Sequence, residues 1–314
     1  MPSLDSRPGL LITGAAGALA QRVIHKLKAD YRLVVCDARR EVSMPESIPS
    51  YHIDFNKRHF EDIFRRHEIS GIVHLGRLGP NESTRMHRYN ANVLGTQRLL
   101  DLAVKYKIGQ VLILSTYYVY GASPYNPAQL TEDAPLKAAE LTMDLVDSVE
   151  LENLAHIYLW KHPELHIMLL RPCNIVGPGI NNSMSQLLSS ARAPVLAGFS
   201  PIMQFIHLDD MAEAIVLGVR KPASGIYNVA PEDWIPYQKA LQRCGCSKIT
   251  LPSLPPQLPL LLARWRRWPG FPPYLLQYFK YSVSINGQLF RDRFKFQPRY
   301  DLAAILDHYR LLKN

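Results

Sequence analysis

The chain has 314 residues, enough for one large domain or two intimate ones around a sizeable core. Its hydrophobic content of 47% is ordinary for a globular protein, and no apolar run reaches bilayer-spanning length. The net charge of +9 is carried entirely between Arg243 and Tyr300, where ten Lys and Arg face a single acid, Asp292.

The first predicted element is an apolar strand, Gly9–Thr13, followed by a glycine turn and a helix over Ala18–Lys28. Gly14 permits the tight turn. Gly17 lets the backbone approach a pyrophosphate, and the amides of Ala16, Gly17, Ala18 and Leu19 are expected to face that anion. Ala20 supplies the small third position for close helix–strand packing. The second strand, Leu33–Cys36, runs into Asp37, about 20 residues beyond the turn. A carboxylate there accepts hydrogen bonds from an adenosine ribose and repels a 2′-phosphate, so Asp37 favours NAD over NADP. Arg39 and Arg40 pull the other way, because an arginine accommodates that phosphate.

Further strands are predicted at Gly71–Leu75, Gln110–Leu114 and His166–Leu170, with helices near Lys57–His67, His87–Tyr106 and Leu141–His162. Continuous apolar runs, rather than alternation, indicate a parallel sheet buried on both faces. Pro172–Ser200 reads as a loop with a short helix, then come strand Gln204–His207, helix Asp209–Arg220 and strand Gly225–Val229. The expected fold is a doubly wound α/β domain, residues 1–172 and 204–230, with a smaller C-terminal lobe, residues 173–203 and 231–314.

Several segments together carry a family resemblance. They are Thr13-Gly14-Ala15-Ala16-Gly17-Ala18-Leu19-Ala20, Asp54-Phe55, Val73-His74-Leu75-Gly76, Asn92-Val93-Leu94-Gly95-Thr96, Ser115-Thr116-Tyr117-Tyr118-Val119-Tyr120-Gly121, Leu170-Arg171-Pro172-Cys173-Asn174, Phe205-Ile206-His207-Leu208-Asp209-Asp210 and Gly225-Ile226-Tyr227-Asn228-Val229. In this order the chain resembles the extended short-chain dehydrogenase/reductases, the Rossmann-fold NAD-dependent epimerases and dehydratases. The resemblance implies that Asp54 and Phe55 lie at the adenine. It implies that Leu75, Gly76 and Arg77 line the pyrophosphate and nicotinamide side, with Ser115, Pro172 and Asn174 also at the cofactor. Asn92 would brace the central helix and sheet, and the helices near His87–Tyr106 and Leu141–His162 would pair across a homodimer. Arg77 stands where the family usually has a small residue; it would meet phosphate, pair with an acid or turn to solvent.

The family's chemistry uses Ser/Thr with a Tyr-x-x-x-Lys pair, the lysine lowering the phenol pKa and holding the nicotinamide ribose. Thr116 keeps the Ser/Thr position. Counting back from Arg171, and forward to Glu152, places Asp144 at the tyrosine position and Ser148 at the lysine position. Four-residue spacing would put both on one helical face. The chain is accordingly read as lacking the Tyr-x-x-x-Lys pair. A solvated aspartate ionises near pH ~4 and is a poor acid at neutrality. Gln204 replaces an arginine that in relatives grips the substrate pyrophosphate, so the usual nucleotide-sugar mode is not expected.

His162 and His166 are separated by a helix-breaking Pro163, and Cys36, Cys173, Cys244 and Cys246 show no ligand spacing, so no metal site is expected. With no leader pattern and no Cys pair, a cytoplasmic protein with reduced thiols is expected. Residues 256–281 mix Trp, Tyr, Arg and aliphatic side chains, which suits peripheral contact with an anionic membrane at its inner face; nucleic acid is the less expected partner. Three functions remain open. One is a catalytically degenerate dinucleotide-binding sensor, scaffold or regulatory subunit. Another is an active epimerase, dehydratase or hydroxysteroid-type dehydrogenase with a rebuilt proton relay. The third is a membrane- or RNA-associated protein with a structural nucleotide site. The small-molecule substrate is left unassigned.

Overall fold

The computed structural model describes residues 6–79, 84–253 and 273–313. In chain order it runs β1 (Gly9–Thr13), α1 (Ala18–Leu27), β2 (Arg32–Asp37), β3 (Ser50–His52), α2 (Glu61–Arg66), β4 (Gly71–His74), α3 (Arg85–Tyr89), α4 (Gly95–Lys105), β5 (Gln110–Leu114), α5 (Ala138–Leu141), α6 (Val146–Lys161) and β6 (His166–Pro172). There follow β7 (Asn174–Val176), α7 (Ser183–Ser189), β8 (Arg192–Leu196), β9 (Ile202–Met203), β10 (Phe205–His207), α8 (Leu208–Arg220), β11 (Gly225–Val229), β12 (Ile235–Pro236), α9 (Tyr237–Arg243) and β13 (Ser247–Leu251). Two more helices, Gln288–Phe294 and Leu302–Leu311, end the described chain.

The chain divides into two compact units. The first comprises residues 1–115, 147–171 and 212–227; the second comprises 116–146, 172–211 and 228–314. The first is built on a seven-stranded sheet of order β11-β6-β5-β4-β1-β2-β3. Strands β3 to β6 pair in parallel, with Leu11 opposite Val34 on one side and Ile72 on the other. Every residue of β1 and β4 is buried, which explains why these strands read as apolar runs, each closed by one buried polar residue, Thr13 or His74. Helix α1 lays Leu19, Ala20, Val23, Ile24 and Leu27 inward, a stripe at helical spacing. One core cluster joins Leu11, Val34, Phe60, Phe64, Leu99, Val111 and Leu151. Burial of each such side chain contributes about 1.5–3 kcal/mol. Succession reverses at β1: the chain moves outward to β2 and β3, then returns to β4 on the other side. A crevice outside the carboxyl ends of β1 and β4 is where such sheets accept ligands.

The five early strands lie where the sequence pattern puts them, within about two residues at their ends. The helices differ more. The expected helix His87–Tyr106 is α3, a π-helical segment Asn90–Leu94, and α4. The expected helix Leu141–His162 is broken: α5 ends at Leu141, a 3₁₀ turn covers Met143–Leu145, and α6 starts only at Val146. Thr142, in extended backbone, causes the break by accepting the Asp144 amide on its hydroxyl at 3.2 Å. Asp144 therefore sits in a 3₁₀ turn, not on one helical face with Ser148. The strand β3 and the β8–β13 pair in the loop-like second half escaped the sequence pattern.

In the second unit, β7 pairs in parallel with β10, β8 with β13, and β9 antiparallel with β12. Residues 254–272 lie outside the described residues, and with them most of the 256–281 segment expected at a membrane. Among the described residues no helix is long and apolar enough to cross one.

Candidate functional site

The turn after β1 is tight enough to dictate its residues. Gly14 has φ +69°, and a Cβ there would stand 2.6 Å from the Cα of Gly76. Gly76 is pressed in return against Gly14 and the Phe55 ring, which a Cβ would meet at 3.1 Å. The two glycines bring the β1 and β4 loops together at the strand ends. Gly17 differs, because its φ is an ordinary −75° and a Cβ would meet only the Gly14 carbonyl, at 3.3 Å. The fold asks less of glycine at that position than at Gly14. Such a cradle fits a pyrophosphate.

The amides expected to face an anion divide into two pairs. Gly17 N–H turns back to the Gly14 carbonyl at 3.0 Å, and Ala16 N–H donates to Asp37 Oδ2 at 3.1 Å. These two are occupied by the protein. No side chain among the described residues caps α1, which leaves its first-turn amides at Ala18 and Leu19 to an outside acceptor.

Asp37 is buried at the end of β2. Its other oxygen, Oδ1, accepts the amides of Arg39 at 2.9 Å and Arg40 at 3.3 Å. The carboxylate thus fixes both the glycine turn and the β2 loop. It also lines a cavity of about 420 Å³. One wall of the cavity is Gly14, Asp37 and Arg39; another is Asp54, Phe55 and Asn56; the third is Gly76, Arg77 and Leu78. Asp54 shapes its own loop by accepting the Asn56 amide at 2.9 Å. Leu75 precedes this third wall as the first residue of the β4 loop, its amide bonded to the Thr13 carbonyl at 3.3 Å.

The sequence pattern missed the fourth wall, made by His87, Asn90, Ala91 and Leu94. Their spacing of three, one and three residues is one helical face, and that period was the available signal. Asn92, on the same segment, is fully buried and clamps the loop after β4. It accepts the Leu78 amide at 2.8 Å and donates to the Leu78 carbonyl at 2.9 Å and to Asp147 of α6.

Arg77 is half-buried and does not simply turn to solvent. Its Nη2 donates to Ser148 Oγ at 2.5 Å, so the guanidinium reaches the residue that the sequence register sets at the lysine position. Ser148 itself is buried on the first turn of α6.

Beneath the site lies a polar chain with a fixed direction. Thr96 Oγ1 donates to the Asn92 carbonyl at 2.6 Å, so it accepts from His74 Nε2 at 3.0 Å. His74 Nδ1 is then an acceptor for the Thr13 hydroxyl at 2.7 Å. Burial, with a smaller contribution from Arg77, lowers the His74 pKa to about 4 and keeps the ring neutral. Ser115 donates its hydroxyl to Glu152, which directs it into a buried ion pair; Arg171 reaches the same carboxylate at 2.5–3.1 Å.

In the second unit, Thr116 caps the 3₁₀ turn Tyr117–Tyr120 by accepting the Tyr118 amide. Asn174, two residues after Pro172 at the end of β6, is buried. Its Oδ1 accepts from Tyr117 at 3.0 Å and Tyr118 at 3.3 Å, while its amide donates to the Gln204 carbonyl at 3.0 Å. Gln204 is a buried strap, donating to the carbonyls of Pro231 and Ile285 and accepting the Ile285 amide. Its side chain is committed to the lobe's own backbone.

A Tyr-x-x-x-Lys spacing does occur outside the expected register, at Tyr309 and Lys313, which corrects the expectation that the chain has none. Tyr309 is buried, its oxygen shared with the Gly177 amide at 2.9 Å and the Ser185 hydroxyl at 2.8 Å. Lys313 Nζ donates to the Cys244 carbonyl at 2.7 Å. Both side chains are occupied by the packing of the second unit.

A family model described as the NAD dependent epimerase/dehydratase family matches residues 10–230. The chain belongs to that family. The family's match spans the glycine turn, Asp37, the cavity walls and the Asp144–Ser148 register together. Among relatives, an uncharacterized protein of Mycobacterium tuberculosis is 22% identical over 250 residues, 79% of this chain and 66% of that one. This chain thus spans just under two thirds of that relative's length. The UDP-glucose 4-epimerase of Dictyostelium discoideum is 27% identical over 254 residues, covering 68% of this chain and 71% of the epimerase. Among solved structures, a dTDP-glucose 4,6-dehydratase from Bacillus anthracis in complex with NAD aligns at TM-score 0.76 and 17% identity, over 97% and 96% of the two chains. A likeness at that identity establishes the fold.

Proposed function

We propose that this epimerase/dehydratase-family chain binds NAD in the cavity of its first unit and turns over little or no redox chemistry. The carrying observation is that Gly14 and the Asp37 carboxylate line one cavity, at the glycine turn that leads into the uncapped start of α1. Ala18 and Leu19 amides would take the pyrophosphate, Asp37 the adenosine ribose, and the Asp54–Phe55 wall the adenine. NAD, when bound, supplies hydride exchange to chains of this family that can also move a proton. Here Asp144 and Ser148 occupy the proton-transfer register, and neither residue is a phenol or an ammonium. Similar proteins solved with NAD support the cofactor assignment.

Asp37 sets the preference. A 2′-phosphate beside its carboxylate brings like charges together, which Arg39 on the same cavity offsets in part. Calorimetry with each dinucleotide tests the proposal. NAD is expected to bind more tightly than NADP, and NAD at 100 times its Kd to stabilise the fold by about 2.7 kcal/mol. No heat and no thermal shift with either dinucleotide would overturn it.

A further inference from the structure

We propose that Arg77, anchored on Ser148, is a relocated cation that holds the nicotinamide ribose of the dinucleotide in place of the family's helix lysine. This rests on the NAD-binding reading above and goes one residue further. Arg77 lines the cavity, on the loop that Gly76 presses against the glycine turn. Its side chain then spans to α6, where Nη2 meets Ser148 Oγ at 2.5 Å.

The position is built rather than incidental. On one side of Arg77, Gly76 is fixed by its close approach to Gly14 and by its amide on Thr13 Oγ1 at 3.3 Å. On the other side, Leu78 is held by Asn92 through two hydrogen bonds. The same Asn92 amide also holds Asp147, the neighbour of Ser148. One buried asparagine therefore locks the residues beside both Arg77 and its anchor.

The exchange is chemically specific. A lysine at the Ser148 position would bring an ammonium from the helix. Here the helix offers only a hydroxyl, and the charge arrives from the β4 loop. A guanidinium stays protonated at any working pH and presents a fixed fork of N–H donors that ribose hydroxyl oxygens can accept. It holds the ribose without joining a proton relay. That explains how a chain without the helix lysine keeps a cationic contact for its cofactor.

Titrations with NAD and with AMP, which lacks the nicotinamide riboside, test the assignment. Arg77→Gln is expected to weaken NAD about tenfold or more, the loss of one charge-assisted contact, and to change AMP by less than about twofold. Arg77→Gln combined with Ser148→Lys is expected to recover most of the NAD affinity, because the ammonium returns from α6. NAD binding by the wild-type chain and by Arg77→Gln alike overturns this inference alone. Absence of NAD binding by the wild-type chain overturns the proposed function, and this inference with it. Should Arg77→Gln fail to fold, as read by its thermal melt, Ser148→Ala removes only the anchor. It must then weaken NAD severalfold, and unchanged affinity overturns the proposal.

Discussion

At the residue scale, the site rests on a few groups whose surroundings leave no alternative. Gly14 combines positive φ with a neighbour 2.6 Å from any Cβ. Gly14→Ala is expected to cost at least the ~1–3 kcal/mol of a strained backbone position, read by urea unfolding. Gly17→Ala is expected to cost far less stability and to weaken NAD binding instead. His74 gives a pH signature. Its folded pKa of about 4 lies below the usual 6.5, so it is neutral in the fold while the unfolded chain takes up a proton. Stability is therefore full above pH ~6.5 and falls as the pH drops toward 4, by on the order of 3 kcal/mol in all. Urea midpoints at pH 7 and pH 4.5 check this. His74→Gln is expected to start less stable and to lose less on acidification; parallel losses would reject the assignment. The glycines, Asp37 and Asn92 were legible in the sequence because steric and hydrogen-bonding demands leave a residue-type signature. The hold of Arg77 on Ser148 was not, since nothing in a sequence reports a pairing 71 residues apart.

At the scale of elements, the strands of the first unit were legible for a single reason. A parallel strand covered on both faces is apolar along its middle, as β1 is at Leu10–Ile12, β4 at Ile72 and Val73 and β5 at Val111–Leu114. The short strands of the second unit give no such run; β9 and β12 have two residues each. Helix boundaries failed where local side-chain bonds override periodicity, as Thr142 does before α6. The docking of α6 is specified by charge. Glu152 on α6 and Arg171 on β6 are both fully buried, and Ser115 from the end of β5 completes the carboxylate's bonding. Removing one charge strands the other in a low-dielectric interior. Glu152→Gln is therefore expected to cost about 3–5 kcal/mol in denaturant unfolding. A loss below ~1 kcal/mol would mean that the pair is hydrated in solution.

At the scale of the whole molecule, the question is whether a family fold still performs the family's reaction. Fold and cofactor cavity rest on backbone geometry, which tolerates wide sequence change so long as the glycines and apolar strands persist. Proton transfer rests on two side chains, and under the proposed function both positions differ, being read by sequence register as Asp144 and Ser148. General acid–base catalysis contributes about 10²–10⁴ in rate. With NAD and a panel of sugar nucleotides and sterols, hydride transfer is expected to run at least ~10²-fold below an active relative assayed alongside. Asp144→Asn, which removes the carboxylate's charge with little change of shape, is expected to leave that residual rate unaltered, because the carboxylate moves no proton. A rate matching the relative's that collapses in Asp144→Asn would instead make the aspartate a working acid–base group. NAD binding without turnover, and with the affinity carried by Arg77, would place the chain's activity in occupancy of the cavity.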